Sequence, residues 1–190
     1  MVLPVTAYGH PVLRKRAKEI DKTYEGLAQL IDDMFETMYV TVGVGLAAPQ
    51  INRSIRLVVI DASPYGKDDP SLEDFKKVLL NPVMVSETGE DWLFNEGCLS
   101  IPDIHEEVSR KPEIHIQYYD RDWNFHDDTF RGIAARIIQH EYDHLEGILF
   151  VDRLSSLRKM MLKKRLNAIS NGDIDVDYRM IFPPKKKKKR

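Results

Sequence analysis

After Asp21 and Thr23, either of which can cap a helix, Leu27, Leu30, Ile31, Met34, Phe35 and Met38 fall on one stripe at helical spacing. Gln29, Asp32, Asp33 and Glu36 occupy the opposite face, so the segment predicts an amphipathic helix lying on a core. Gly43 and Gly45 end it, and Gly43 to Gln50 (GVGLAAPQ) is too small and broken to continue; it predicts a close-packed loop or extended stretch. β-Branched and aromatic runs follow at Arg56–Ile60, Val78–Leu80 continuing past Asn81-Pro82 into Val83–Val85, Trp92–Phe94 and Ile114–Tyr119. Each is bounded by turn residues and predicts a short strand. Asp120 to Asn124 predicts a hairpin turn, with a further strand over Phe125–Phe130. Between the first two strands, Ser63–Phe75 is polar and reads as a surface excursion.

From Gly132 the period changes from two to about 3.6. Ile133, Ile137, Ile138 and Leu145 mark one face of a helix ending at Gly147. A second helix is predicted from Ser155 to Ile169, with Leu157, Met161, Leu162 and Leu166 inward and Arg158, Lys159, Lys163, Lys164 and Arg165 outward. Helix, strand-rich middle and helix define an α+β fold of short, mostly antiparallel strands around a central helix. The expected organisation is a single catalytic domain over 1–170, its core at about 4–150 and its C-terminal helix at about 155–169, and a tail over 171–190 whose basic end is disordered.

Length and composition narrow the class. At 190 residues, 43% hydrophobic and 31% charged, the chain suits one ordinary domain and neither a collagen-like nor a wholly disordered protein. No apolar run approaches the ~18 residues of a membrane helix. The first residues, MVLPVTAYGHPVLR, lack the features of a secretory signal or a transit peptide, so a cytoplasmic address is expected. The net charge of −2 hides a division: residues 1–152 hold 15 Lys+Arg against 27 Asp+Glu, residues 153–190 hold 13 against 3. An acidic body carries a basic end.

The strongest chemical signal is His140-Glu141-Tyr142-Asp143-His144, an H-E-x-x-H inside the predicted helix. Residues four apart share a face, so both imidazoles can hold one metal while Glu141 flanks the open position and can move a proton. Two surface histidines on a charged helix would look the same. A catalytic site needs a third ligand. The metzincin position for one is Phe150, and no glutamate follows Glu146, so two large zinc-peptidase patterns fail. Cys98, the single cysteine, is the remaining candidate in Glu96-Gly97-Cys98-Leu99-Ser100, although a lone cysteine is more often a small buried hydrophobe. Gln50, at the end of Gly45-Leu46-Ala47-Ala48-Pro49-Gln50, carries a carboxamide that can donate to an oxygen becoming negative.

GLAAPQ, EGCLS and HEYDH, in this order, closely resemble the three signature motifs of the peptide deformylase family, and the resemblance extends through YGHPVLR to cover about residues 4–150. It implies removal of the formyl group from the N-terminal formylmethionine of newly made proteins, with release of formate. Carried over, it makes Cys98, His140 and His144 the metal ligands, Glu141 the general acid/base, and Gln50 with the Leu99 N–H the oxyanion hole. Metal-bound hydroxide would attack the formyl carbon. The implied native ion is Fe²⁺, with Zn²⁺ or Ni²⁺ able to substitute; ligand softness alone points to zinc first. The peptide would add as an extended strand along Val44, Gly45 and Gly97, and the methionine pocket would involve Val44, Phe94, Ile133 and Ile137. For those four, ordinary core packing is the competing reading. Arg136 lies either at the cleft mouth or in solvent. The basic helix resembles one that docks on the ribosome in some family members; no membrane or DNA partner is implied. Because no proposed catalytic residue lies beyond residue 170, removing 170–190 is expected to leave turnover unchanged. Two competing readings are a metallopeptidase and a silent relative that binds nascent chains or ribosomes.

Overall fold

The computed structural model describes residues 1–184. A five-stranded antiparallel sheet runs in the order β2 (Gly45–Ala47), β3 (Leu57–Asp61), β4 (Lys76–Thr88), β7 (Glu113–Tyr119), β8 (Phe125–Arg131). Helix α1 (Leu27–Val40) covers one face of its β2–β3 end and α2 (Gly132–Leu145) the other. Side chains of β3 therefore alternate between two apolar partners: Leu57 and Val59 join Ile31, Met34 and Met38, while Val58 and Ile60 join Ala134, Ile137 and Ile138. Burial on both faces is why this strand reads as an unbroken apolar run. Asn81-Pro82 sits at a bulge within the long β4, where the Asn81 side chain bridges both main-chain groups of Ile20.

A separate hairpin, β5 (Trp92–Cys98) and β6 (Ile101–Arg110), packs on the N-terminal segment and on α3 (Ser156–Asn171). Strand β6 is absent from the sequence reading. Its inward positions, Ile104, Glu106, Val108 and Arg110, alternate as a strand requires, but two of the four are charged. Glu106 is buried against Arg158 of α3 at 2.6–2.9 Å, and Arg110 enters the network described below.

Three other details depart from expectation. Neither Asp21 nor Thr23 caps α1: Asp21 accepts from Thr23 in a local turn, and the N-cap is Gly26, in the left-handed region at φ 73°. On α3 the inward stripe is Leu162, Leu166 and Ile169, whereas Leu157 and Met161 are about 60% exposed. The segment after α3, expected as a tail, returns to the body: β9 (Met180–Ile181) pairs in parallel with β1 (Val5–Thr6), tied by Val5 N–H to the Arg179 carbonyl and Ala7 N–H to the Ile181 carbonyl, each 2.8 Å. The expectation for the basic end, residues 185–190, falls outside the described residues. No helix among the described residues is long and apolar enough to cross a membrane.

Candidate metal and catalytic centre

A cleft of about 670 Å³ opens between the β2 edge, the β5–β6 turn and α2. At its base, where Cys98 and His140 line it, the donor atoms of Cys98, His140 and the buried His144 lie within 4.8 Å of one another, with Cys98 Sγ 3.3 Å from His144 Nε2. Two elements supply them. The period of α2 stacks His140 and His144 on one face, their rings 5.2 Å apart. Cys98 ends β5, just past a register shift at Glu96–Cys98 that turns its thiol toward the helix.

The His140 imidazole is oriented from behind. His140 Nδ1 bonds Glu96 Oε2 at 2.9 Å, which leaves Nε2 for the cluster. Glu96, itself buried, also accepts from Arg110 at 2.7 and 2.9 Å and from Arg136 at 2.9 Å. Arg110 reaches on to Asp143 (2.7 Å), and Arg153 grips the same carboxylate at 2.6 Å through two nitrogens. Burial alone would raise Glu96, but the His140 and Arg110 bonds outweigh it and hold the carboxylate well below the usual range. Arg136 thus does not reach solvent; it borders the cleft from a buried position. It is 1% exposed, stacked over Trp92 at 4.6 Å and bonded to the Val108 and Trp92 carbonyls.

Glu141 is 4% exposed and its carboxylate lies hard against Gly45: a Cβ on that glycine would stand 2.5 Å from Oε1. Only glycine permits this approach. Burial pushes Glu141 up to about 7, and its Oε2 has no partner among the described residues. A carboxyl poised near neutrality with a free oxygen suits a group that takes and returns a proton. Gln50 is 1% exposed; its Oε1 accepts from the Ala47 N–H at 2.8 Å, which fixes the amide and turns Nε2 to the cluster, 3.5 Å from both Cys98 Sγ and Ser100 Oγ. Those long contacts leave the donor available.

The donor set fits a divalent ion. One thiol and two imidazoles are soft to borderline ligands, and their donor atoms converge to within 4.8 Å of one another. Burial and then the nearby His140 hold His144 well below its ordinary value, hence neutral, as a ligand must be. His140 responds oppositely: burial lowers it, yet Cys98 and Glu96 outweigh burial and favour positive charge at that point.

Of the expected substrate contacts, Val44, Gly45, Phe94, Gly97 and Ile137 line the cleft. Ile133 is not among the lining residues; it is partly buried and packs against the α2 core. Leu99 lines the cleft at the β5–β6 turn. The segment beyond residue 170 is not outside the site either, because Asp175–Tyr178 line the cleft and the Tyr178 hydroxyl donates to the Leu99 carbonyl at 2.7 Å. Sequence reasoning gave no role to Glu96, Arg110, Arg136 or Tyr178. Only Glu96 carried a local signal, lying two residues before Cys98 in one strand.

Residues 2–160 match the family model for Polypeptide deformylase. The peptide deformylase of Christiangramia forsetii is 52% identical, with 98% of this chain and 99% of that protein covered. A crystal structure of a peptide deformylase from Legionella pneumophila superposes with a TM-score of 0.78 at 38% identity, covering 91% of this chain and 98% of that one. A Met-Ala-Ser-bound structure from Acinetobacter baumannii gives 0.74 at 36% identity, over 81% and 99%.

Proposed function

The chain belongs to the polypeptide deformylase family, enzymes that hydrolyse the formyl group from N-formylmethionyl peptides, and on that premise we propose which of its residues carry the reaction. Cys98, His140 and His144 hold one divalent ion, Fe²⁺ in the cell. Such an ion supplies an acidic water and polarises the formyl oxygen. Glu141 accepts a proton from the attacking water at its free Oε2 and passes it to the departing amine nitrogen as the C–N bond breaks, giving formate and a free N-terminus. Gln50 Nε2 and the Leu99 N–H donate to the formyl oxygen as it becomes negative. The peptide lies extended along Val44, Gly45 and Gly97, its methionine side chain against Phe94 and Ile137. The Acinetobacter relative binds Met-Ala-Ser, which has the chemistry of a deformylated product and is in keeping with a peptide substrate. The observation that carries the reading is the approach of three soft donors to within 4.8 Å beside a carboxyl held near neutrality. Neither competing reading, metallopeptidase or silent binder, is needed for a chain of this family.

The test is formate release from formyl-Met-Ala-Ser, with acetyl-Met-Ala-Ser as the control. Protein loaded with Fe²⁺ without air and protein loaded with Ni²⁺ should both release formate, and peroxide should inactivate the iron form much faster, because thiolate-ligated Fe²⁺ is oxidisable. Equal rates of inactivation would count against iron as the native ion.

We further place the enzyme in the cytoplasm, working on nascent chains beside the ribosome through α3. Lys159, Lys163 and Lys164 are exposed along that helix and suit a phosphate backbone. Replacing all three with glutamate should weaken ribosome binding and flatten its salt dependence, while turnover of a short formyl-peptide stays at the parent level. An unchanged salt slope would remove α3 from the contact.

A further inference from the structure

The strap from Asp173 to Ile181 crosses the cleft with a regular alternation: Ile174, Val176, Tyr178 and Met180 are half-buried, while Asp173, Asp175, Asp177 and Arg179 face out. Its far end is fastened by the β1–β9 pairing. Between these, the Tyr178 hydroxyl donates to the Leu99 carbonyl at 2.7 Å. Burial and then the charges of Cys98 and Asp103 push the phenol above its ordinary value, so it keeps its proton and remains a donor.

Cys98-Leu99-Ser100 is the corner at which the β5–β6 hairpin reverses, directly after a register shift. Other ties hold its flanks and not its centre. The Ser100 carbonyl accepts from the Tyr8 N–H at 2.8 Å, and Gln50 Nε2 stands 3.5 Å from Ser100 Oγ and Cys98 Sγ. The carbonyl and N–H of Leu99 belong to one residue, whose only soft torsions are φ and ψ, so a bond that fixes the carbonyl restricts where the N–H points. We propose that Tyr178 is a positioning residue for deformylation, its hydroxyl fixing the Leu99 main chain so that the Leu99 N–H stays aimed at the oxygen that becomes negative. This rests on Leu99 acting as an oxyanion donor, and it adds the C-terminal strap to the parts that prepare the site before substrate arrives.

Tyr178→Phe removes one hydroxyl and nothing else. In the full-length, metal-loaded protein it should lower kcat for formyl-Met-Ala-Ser roughly three- to tenfold, the range of one neutral hydrogen bond, with KM unchanged. Metal content and melting temperature should equal the parent's. Gln50→Ala, measured alongside, should lower kcat by itself. The double variant should lose less than the product of the two single losses, because both act on one oxyanion. Parent-like kcat in Tyr178→Phe overturns the proposal. If Gln50→Ala is then impaired, the oxyanion reading survives and Tyr178 alone falls; if neither variant is impaired, both fall. A kcat loss matched by loss of metal or a lower melting temperature makes Tyr178 a structural tie, which also overturns it.

Discussion

Glu141→Ala should keep the metal and the fold while kcat for formyl-Met-Ala-Ser falls by ~10²–10⁴, the usual contribution of general acid/base catalysis, with KM little changed. The reasoning begins with where the carboxyl sits. It is buried, pressed on Gly45, and not needed to hold any other side chain, since Oε2 has no partner among the described residues. Burial of an unpaired carboxyl is a cost to folding, so its removal should not lower the melting temperature. Glu141→Gln keeps the shape and should lose activity equally, because an amide cannot carry the proton. Metal analysis and steady-state kinetics on the same preparations decide the matter. A metal-replete Glu141→Ala protein within a few-fold of the parent would transfer the proton role elsewhere, and Asp143 is a poor substitute, since Arg110 and Arg153 already occupy its oxygens.

Cys98→Ala should abolish both activity and stoichiometric metal. His140 would remain oriented by Glu96, with His144 one turn along the same helix, but two imidazoles hold an ion far more weakly than three ligands, and dialysis should strip it. Loss of an outer partner of a ligand typically costs 10–100-fold in metal affinity, so loss of the thiol itself should exceed ~10²-fold. Cys98 is only partly buried and lies at a hairpin turn, so far-ultraviolet circular dichroism should be unchanged. One equivalent of metal retained after dialysis would return Cys98 to a packing role.

What could be read from the sequence follows how each residue's partner is encoded. HEYDH was legible because both histidines and the glutamate lie within two turns of one helix, where spacing alone fixes a shared face. The apolar strands were legible for the same reason, at period two. Strand β6 was not, because Glu106 and Arg110 occupy inward positions and are made tolerable only by Arg158, Glu96 and Asp143, which are distant in sequence. The Glu96 network has the same character: five charged side chains, each acceptable only with the others in place. Ile133 shows the limit of pattern: an apolar residue on this face of α2 reads the same whether it packs on the core or meets a substrate. The strap is a different case. Ile174, Val176, Tyr178 and Met180 alternate with charged residues as a half-buried strand does, and the expectation of a tail passed over that pattern.

The β1–β9 pairing joins residues 5–6 to 180–181, so almost the whole chain forms the loop that it closes. Closing a loop of that length for two residue pairs is unfavourable until the intervening chain is already compact. The strap is therefore expected to dock after the contacts that bring β5 onto α2. In the folded molecule few hydrogen bonds hold this pairing, and Ile174 and Met180 pack on the core of β6 and α3, while the α1 and α2 cores do not depend on it. One wall of the cleft is thus governed by a local equilibrium of its own, separate from the global stability that keeps the metal donors together.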